Sequence, residues 1–343
     1  MNASTAARSD AESAPDRRSS RSWFVRIITA TLAALGWLAI LCIAAWLVGR
    51  VLTDRFEWSQ WLWWIPTPAM GPVLILGFIS ALRPARNKRV RRNRLLRWTL
   101  CAAALIAYFS IIEHRLLHGV RAIRPTASPL KLVHWNVEPA IWAHVEPSLE
   151  QIIKLDGDIT VLTNPGAMLQ LEAAQEWIAR GREVHYSHPF AVITRTPLRS
   201  LTTLISTDRM HVVEAVFETQ GPQSRPLVVY MVDFPSNPRI WRMGVMQRAR
   251  TMLDGLRKTP PDVVVGDFNT PRGSASIDAL FPNMSNAFNE AGHGYGATFR
   301  REFPLYHIDQ ILLGPNVQAK RYDIVDPGVS RHRAQAAWLM TSN

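Results

Sequence analysis

Asp267 and Asn269 stand two residues apart in Val263-Val264-Val265-Gly266-Asp267-Phe268-Asn269-Thr270-Pro271. The three β-branched residues make a short buried strand, Gly266 permits a sharp turn, and in extended backbone the two polar side chains leave the strand end on the same side. A carboxylate beside a carboxamide suits phosphate chemistry. The first holds a metal or takes a proton from water, and the second donates hydrogen bonds to an oxyanion. Asp and Asn are also common in plain strand-to-loop turns, so this stretch alone leaves both readings open. Three further strand ends turn polar where an apolar pattern would otherwise continue: His134-Trp135-Asn136-Val137, His307-Ile308-Asp309-Gln310, and Ser330-Arg331-His332 ahead of the apolar run 336–340.

The elements that must position these residues belong to an α/β domain. Short β-rich runs at 132–135, 159–162, 191–194, 211–217, 227–232, 263–265, 308–313 and 336–340 predict strands, and amphipathic stretches at 148–154, 167–179 and 242–256 predict helices. In the last helix Met243, Met246, Met252, Leu253 and Leu256 recur near helical spacing and read as a core-facing stripe.

The charge is unevenly placed. Of the formal +12, residues 1–120 hold +10 (16 Lys/Arg against 6 Asp/Glu), which leaves the rest of the chain at +2. The near-neutral α/β part argues against long nucleic acids as partners. Residues 1–22 have the composition of a disordered tail on the cytoplasmic side. Apolar runs at 23–49, 61–82 and 98–116 predict three transmembrane helices within 23–118, the second approached through Trp58, Trp61, Trp63 and Trp64, a headgroup-level signature. Arg83, Arg86, Lys88, Arg89, Arg91, Arg92, Arg94 and Arg97 make residues 83–97 a basic loop without an acid, expected in the cytoplasm against anionic lipid. The domain from 131 to 343, after a linker at 119–130, is then expected outside an inner membrane, periplasmic or extracellular. Cys42 and Cys101 fall in apolar runs, so the external domain has neither a disulfide nor a thiolate metal site.

From about residue 130 onward the four polar strand ends, in this order, resemble the endonuclease/exonuclease/phosphatase superfamily of metal-dependent phosphoesterases. Gly294-Tyr295-Gly296-Ala297-Thr298-Phe299 before His307-Ile308-Asp309 and the strand around Phe190–Thr194 carry the same resemblance. It implies a four-layer sandwich of two mixed β-sheets flanked by helices. It also implies roles: Asp267 orienting or deprotonating the attacking water, Asn269 holding the phosphate, His332 acting on the phosphate or leaving group, and Asp309 fixing the tautomer of His332. Asn136 would lie in the metal and phosphate shell, with Mg or Mn as cofactor.

Two departures bear on that cofactor. Where the family has a metal-binding Glu, this chain has Asn164, and the family's Ser-Asp-His reads Ser330-Arg331-His332. An amide oxygen at Asn136 or Asn164 brings no charge to a hard cation, and metal affinity falls accordingly. Arg331 can clamp phosphate oxygens in the metal's place. The leading expectation is a membrane-anchored hydrolase of a phosphodiester or phosphomonoester outside the cytoplasm. The alternative is a catalytically impaired relative that binds a phosphorylated or anionic ligand, or scaffolds a partner.

Overall fold

A computed structural model describes residues 17–85, 87–117, 129–138, 145–218 and 225–341, so most of the expected tail and linker lies outside the described residues. Internal contacts divide the chain into two units, Met1–Ala44 with Met70–Ala103, and Ala45–Ala69 with Ala104–Asn343.

The N-terminal part is helical. Helix α1 (Arg17–Leu52) and the run Lys88–Glu113, which comprises α4 (Lys88–Tyr108) and a closing π-turn, are long and apolar enough to cross a membrane. The second expected span is instead two pieces, α2 (Glu57–Trp63) and a run Thr67–Ala81 containing α3 (Met70–Ala81), bent by 73°. Pro66 and Pro68 lie at the break, where missing N–H groups and ring sterics interrupt a helix. Two helices qualify, with a third only if the bent pair counts as one.

The C-terminal domain is built on two six-stranded mixed sheets. The first runs β11 (Val317–Val325), β12 (Ala334–Thr341), β1 (Leu130–Asn136), β2 (Ile159–Thr163), β4 (Phe190–Thr194), β3 (Glu183–Ser187). The second runs β5 (Leu198–Ser206), β6 (His211–Phe217), β7 (Leu227–Asp233), β8 (Val263–Asp267), β10 (Asp309–Leu313), β9 (Ser285–Asn286). Strand alternation explains the apolar runs. Val263 and Val265 join Leu132, Val161, Val192, Val229 and Ile311 in the core between the sheets. Val264 points the other way, onto Met246 and Ala249 of α7 (Arg242–Gly255) and Leu280 of α8 (Ala275–Leu280). On the far side Val133, Trp135 and Leu162 meet Ile152 of α5 (Val145–Leu155) and Trp177 of α6 (Glu172–Ile178). A strand covered on both faces has no polar alternation, hence Val-Val-Val. Two sheets with helices outside each are the expected four layers. The stripe on α7 is only half core-facing: Met243 and Met246 are buried, while Met252 and Leu256 are exposed.

Strand register brings three carboxyl groups together. β7 and β8 are parallel, and Asp233 pairs with Asp267 at their ends. A side chain at Gly266, at φ +149°, would put its Cβ 1.9 Å from the Val232 carbonyl oxygen, so only glycine allows this approach. β8 and β10 are antiparallel, which sets Asp309 opposite Asp267.

Candidate active site

The ends of β1, β8 and β10 and the loop before β12 converge on one cleft of about 1270 Å³, lined by Asn136, Asn164, Asp233, Asp267, Asn269, Arg331 and His332 among others. Asp267, 2% exposed, accepts from the Asn136 side-chain amide at 2.9 Å and from the Asn269 backbone N–H at 2.8 Å. Asn269 reaches that position with φ +48°, and its own carboxamide donates to the Phe234 carbonyl at 2.8 Å. Asp309 is fully buried and lies 2.9 Å from His332 Nδ1, while His332 Nε2 faces Asp267 at 3.9 Å. The Phe299 ring lies against the imidazole, centroids 4.9 Å apart.

These contacts set the protonation states. Burial, with Asp309 close by, pushes the Asp267 carboxyl up to about 8 against the pull of His332. Burial and Asp309 likewise lift Asp233 to about 7. His332 would be driven down by burial, but the charge and hydrogen bond of Asp309 outweigh it and raise the imidazole to about 9. Asp309, also pushed up by burial, ends below its ordinary range because the His332 cation beside it prevails. At neutral pH the centre is thus an imidazolium–carboxylate pair facing a second carboxyl that titrates on the alkaline side.

Five of the seven residues singled out from the sequence, Asn136, Asp267, Asn269, Asp309 and His332, form this bonded cluster. Asn164, at φ +53°, lines the cleft without joining it. Arg331 is paired with Glu138 through Nε at 2.7 Å and one terminal nitrogen. His134, from the same motif as Asn136, lies beneath the cleft, bonded to Thr163 at 3.3 Å and Gln335 at 3.2 Å, with burial holding its pKa down to about 4. Its role is to tie three strands together.

Asp267, Asp309 and His332 are also the cluster of His, Cys, Asp and Glu among the described residues whose ligand atoms come within 4.8 Å of one another. The imidazolium already serves as counter-cation there. At the expected metal residues, Asn136 Oδ1 accepts from the Glu138 N–H at 3.1 Å, Asn164 is neutral, and the Glu138 carboxylate is neutralised by Arg331. Two amides and a paired carboxylate do not fit a tightly held hard divalent cation, which depends on free carboxylate oxygens.

Sequence reasoning missed the wall of the cleft. Trp61, Trp64, Ile65 and Pro66 line it, although they precede the domain by more than sixty residues. The segment is clamped by buried polar groups. The Gln60 amide donates to the Pro238 carbonyl at 2.9 Å and accepts from the Arg242 N–H at 2.7 Å. Asp54, fully buried, accepts from the Ser276 N–H at 3.2 Å and from its hydroxyl, and Trp63 Nε1 donates to Ser274 Oγ at 2.7 Å. Trp64 packs on Tyr306 at 5.1 Å. Trp63 and Trp64 therefore turn onto the domain, whereas Trp58 and Trp61 stay exposed. The available signal was Gln60 itself, a lone carboxamide in a Trp-rich run.

Known proteins resemble this chain in sequence pattern and in fold. Residues 133–332 match the sequence profile of the Endonuclease/Exonuclease/phosphatase family. No curated protein matches the sequence. An endonuclease/exonuclease/phosphatase family protein from Bacteroides thetaiotaomicron superposes with a TM-score of 0.50 at 16% identity, over 63% of this chain and 98% of that one. A functionally unknown conserved protein from Enterococcus faecalis V583 gives a TM-score of 0.50 at 15% identity, over 62% and 100%. At such identity the superpositions speak for the fold alone. Family members are generally hydrolases of phosphoester bonds and usually employ a divalent metal. With more than half of its residues matched, the chain belongs to the Endonuclease/Exonuclease/phosphatase family.

Proposed function

We propose that this chain is a membrane-anchored phosphoesterase that hydrolyses a phosphodiester or phosphomonoester outside the cytoplasm. The observation that carries the reading is the buried His332–Asp309 pair facing Asp267 across 3.9 Å in an open cleft. Asp267, kept basic by burial, takes the proton from the attacking water, held in place by Asn136 and by the Asn269 N–H. Asn269 also helps to seat the phosphate. Asp309 holds the proton on Nδ1, so Nε2–H supports the charge growing on phosphorus oxygens during in-line displacement and protonates the leaving oxygen. Arg331 spends Nε and one terminal nitrogen on Glu138 and offers the remaining N–H groups to outer phosphate oxygens.

A bound magnesium or manganese ion would polarise the phosphate, as it does for many phosphoesterases. The residue roles given above are all carried by protein groups, with Asn136 and Asn164 as neutral amides where a carboxylate ligand would be expected.

Anchoring rests on α1, on the bent pair Glu57–Trp63 with Thr67–Ala81 crossing as one span, and on the run Lys88–Glu113. The eight basic residues at 83–97, six of them at the start of α4, hold that stretch and the N-terminus in the cytoplasm, and three crossings then leave the domain on the opposite side. Exposed Trp61 in the cleft wall favours an ester carried by an amphiphilic molecule near the headgroups.

The test is hydrolysis of a bis-aryl phosphodiester and an aryl phosphomonoester by the full chain in detergent, beside Asp267→Ala. Turnover is expected from the wild type and lost from the variant; equal hydrolysis of every accepted ester by both would sink the proposal.

A further inference from the structure

A second cavity, of about 290 Å³, lies on the other side of Trp64, Pro66 and Tyr306, residues that line both it and the catalytic cleft. Among the described residues its lining carries the arginines Arg50, Arg115 and Arg272 and one acid, Glu113. Glu113 is already engaged, accepting from the Thr67 hydroxyl at 2.5 Å and standing 3.7 Å from Arg50.

Arg272 is the group that demands an explanation. Its guanidinium bonds the neutral Asn289 side chain and, at 3.4 Å, the Glu113 backbone carbonyl, and lies 4.7 Å from the centre of the Phe288 ring. Among the described residues no carboxylate comes within ion-pair distance of it, and its Nε is buried without a partner. An ionised side chain held away from water without a counter-charge is costly, by several kcal/mol on the order of the desolvation of one ion. Burial, with Arg115 close by, lowers its pKa to about 10 against the more distant pull of Glu113, which still leaves it charged at neutral pH. Beside it His307, 7% exposed, has both ring nitrogens buried with no hydrogen-bond partner. A cation with no carboxylate in ion-pair contact and an imidazole without a hydrogen-bond partner thus line the same small cavity. One oxyanion would satisfy both.

We infer that this cavity is a binding site for a phosphate oxyanion, distinct from the catalytic cleft, with Arg272 and His307 as its principal ligands and Arg50 as a further cationic wall. Two of its residues place it at headgroup depth along the chain: Arg50 lies two residues before the end of the apolar helix Trp23–Leu52, and Glu113 ends the run Lys88–Glu113. The phosphate comes from an anionic lipid headgroup or from free phosphate, and the chemistry that recognises it is the same. The inference does not depend on the cleft being catalytic.

The experiment is calorimetric titration of the full chain in detergent with three probes: inorganic phosphate, dihexanoylphosphatidylglycerol and dihexanoylphosphatidylcholine. It is run in a His332→Gln background, so that phosphate held by the cleft does not obscure the second site. One saturable site is expected for phosphatidylglycerol or inorganic phosphate, with phosphatidylcholine weaker. Arg272→Gln is expected to lower the affinity roughly thirtyfold or more, as for truncation of one member of a buried charge pair. Binding of inorganic phosphate identifies a soluble anion site; binding of phosphatidylglycerol alone identifies a headgroup site. Absence of saturable binding by either anion, or affinity unchanged in Arg272→Gln, overturns the inference. If Arg272→Gln does not fold, His307→Phe takes its place, since it keeps the charges and the ring contact with Phe288, now 5.2 Å between centroids. Weakened phosphate binding is then expected, and undiminished binding overturns the inference.

Discussion

Replacing Asp309 by Asn removes the charge that keeps His332 protonated while retaining an acceptor of the same shape opposite Nδ1. In the wild type the imidazole stands near 9 because the Asp309 carboxylate overcomes burial. The rise from 6.5 corresponds to roughly 3 kcal/mol in favour of the charged form. With Asn at 309 the burial of a ring only 4% exposed prevails, and the pKa falls below 6.5. Turnover of the wild type should rise with pH as Asp267 ionises near 8 and fall as His332 loses its proton near 9, giving a bell with an alkaline optimum. The two apparent values belong to the coupled pair rather than to either residue alone. In Asp309→Asn the falling limb moves to the acid side, and the rate at slightly alkaline pH drops by about 10² to 10⁴ as acid catalysis is lost. The assay is kcat/KM for an aryl phosphodiester across pH, with the His332 ring resonance followed by NMR in parallel. A falling limb that stays near 9 in the variant, with turnover within tenfold of wild type, would refute the assignment of His332 and Asp309.

The same contacts have other consequences. Asp267 has a folded pKa near 8 against 3.8 for a free carboxyl, so its contribution to stability is present at low pH and lost as pH rises through 8. Asp267→Asn should therefore melt above the wild type by a margin that widens from about pH 4 to pH 8 and levels off beyond, read by thermal unfolding; a margin constant with pH would contradict the raised carboxyl. Chelation should leave hydrolysis unchanged, and added magnesium or manganese should not accelerate it, because Glu138 is held by Arg331. Acceleration of about tenfold or more by either ion would show that a carboxylate is available after all. Asp54→Ala strands the Ser276 N–H and hydroxyl in a dry interface and should destabilise the fold by about 1–3 kcal/mol, visible as a lowered Tm.

The parts of the fold legible in the sequence were those whose burial leaves a pattern. All eight strands expected from β-rich runs form within two residues of their predicted ends, and each lies inside its sheet. The four strands not expected, β3, β5, β9 and β11, are the four sheet edges. Edge strands carry residues such as Arg199, Thr202, Lys320 and Arg321, whose charge or polarity discourages pairing with another chain and also erases the apolar signal.

The candidate site was legible for a related reason. Polar residues at the ends of buried strands have no packing purpose, so Asn136, Asp267, Asp309 and His332 stood out. What the sequence concealed were the long-range pairings. Glu138 meets Arg331 across 193 positions, and Gln60 reaches Arg242 across 182. No periodicity records such partners. The Trp-rich run did not reveal its contacts with the domain for the same reason: amphipathic rings suit a headgroup layer and a protein cleft equally well.

Central to the proposed chemistry is that this cleft delivers water to phosphorus. Its most direct test is hydrolysis of an aryl phosphodiester by the full chain in water enriched in heavy oxygen, with product analysed by mass spectrometry. One labelled oxygen is expected in the phosphorus-containing product, none in the released phenol, and no product from Asp267→Ala. Label in the phenol, or a labelled phosphate product formed equally well by Asp267→Ala, would contradict it.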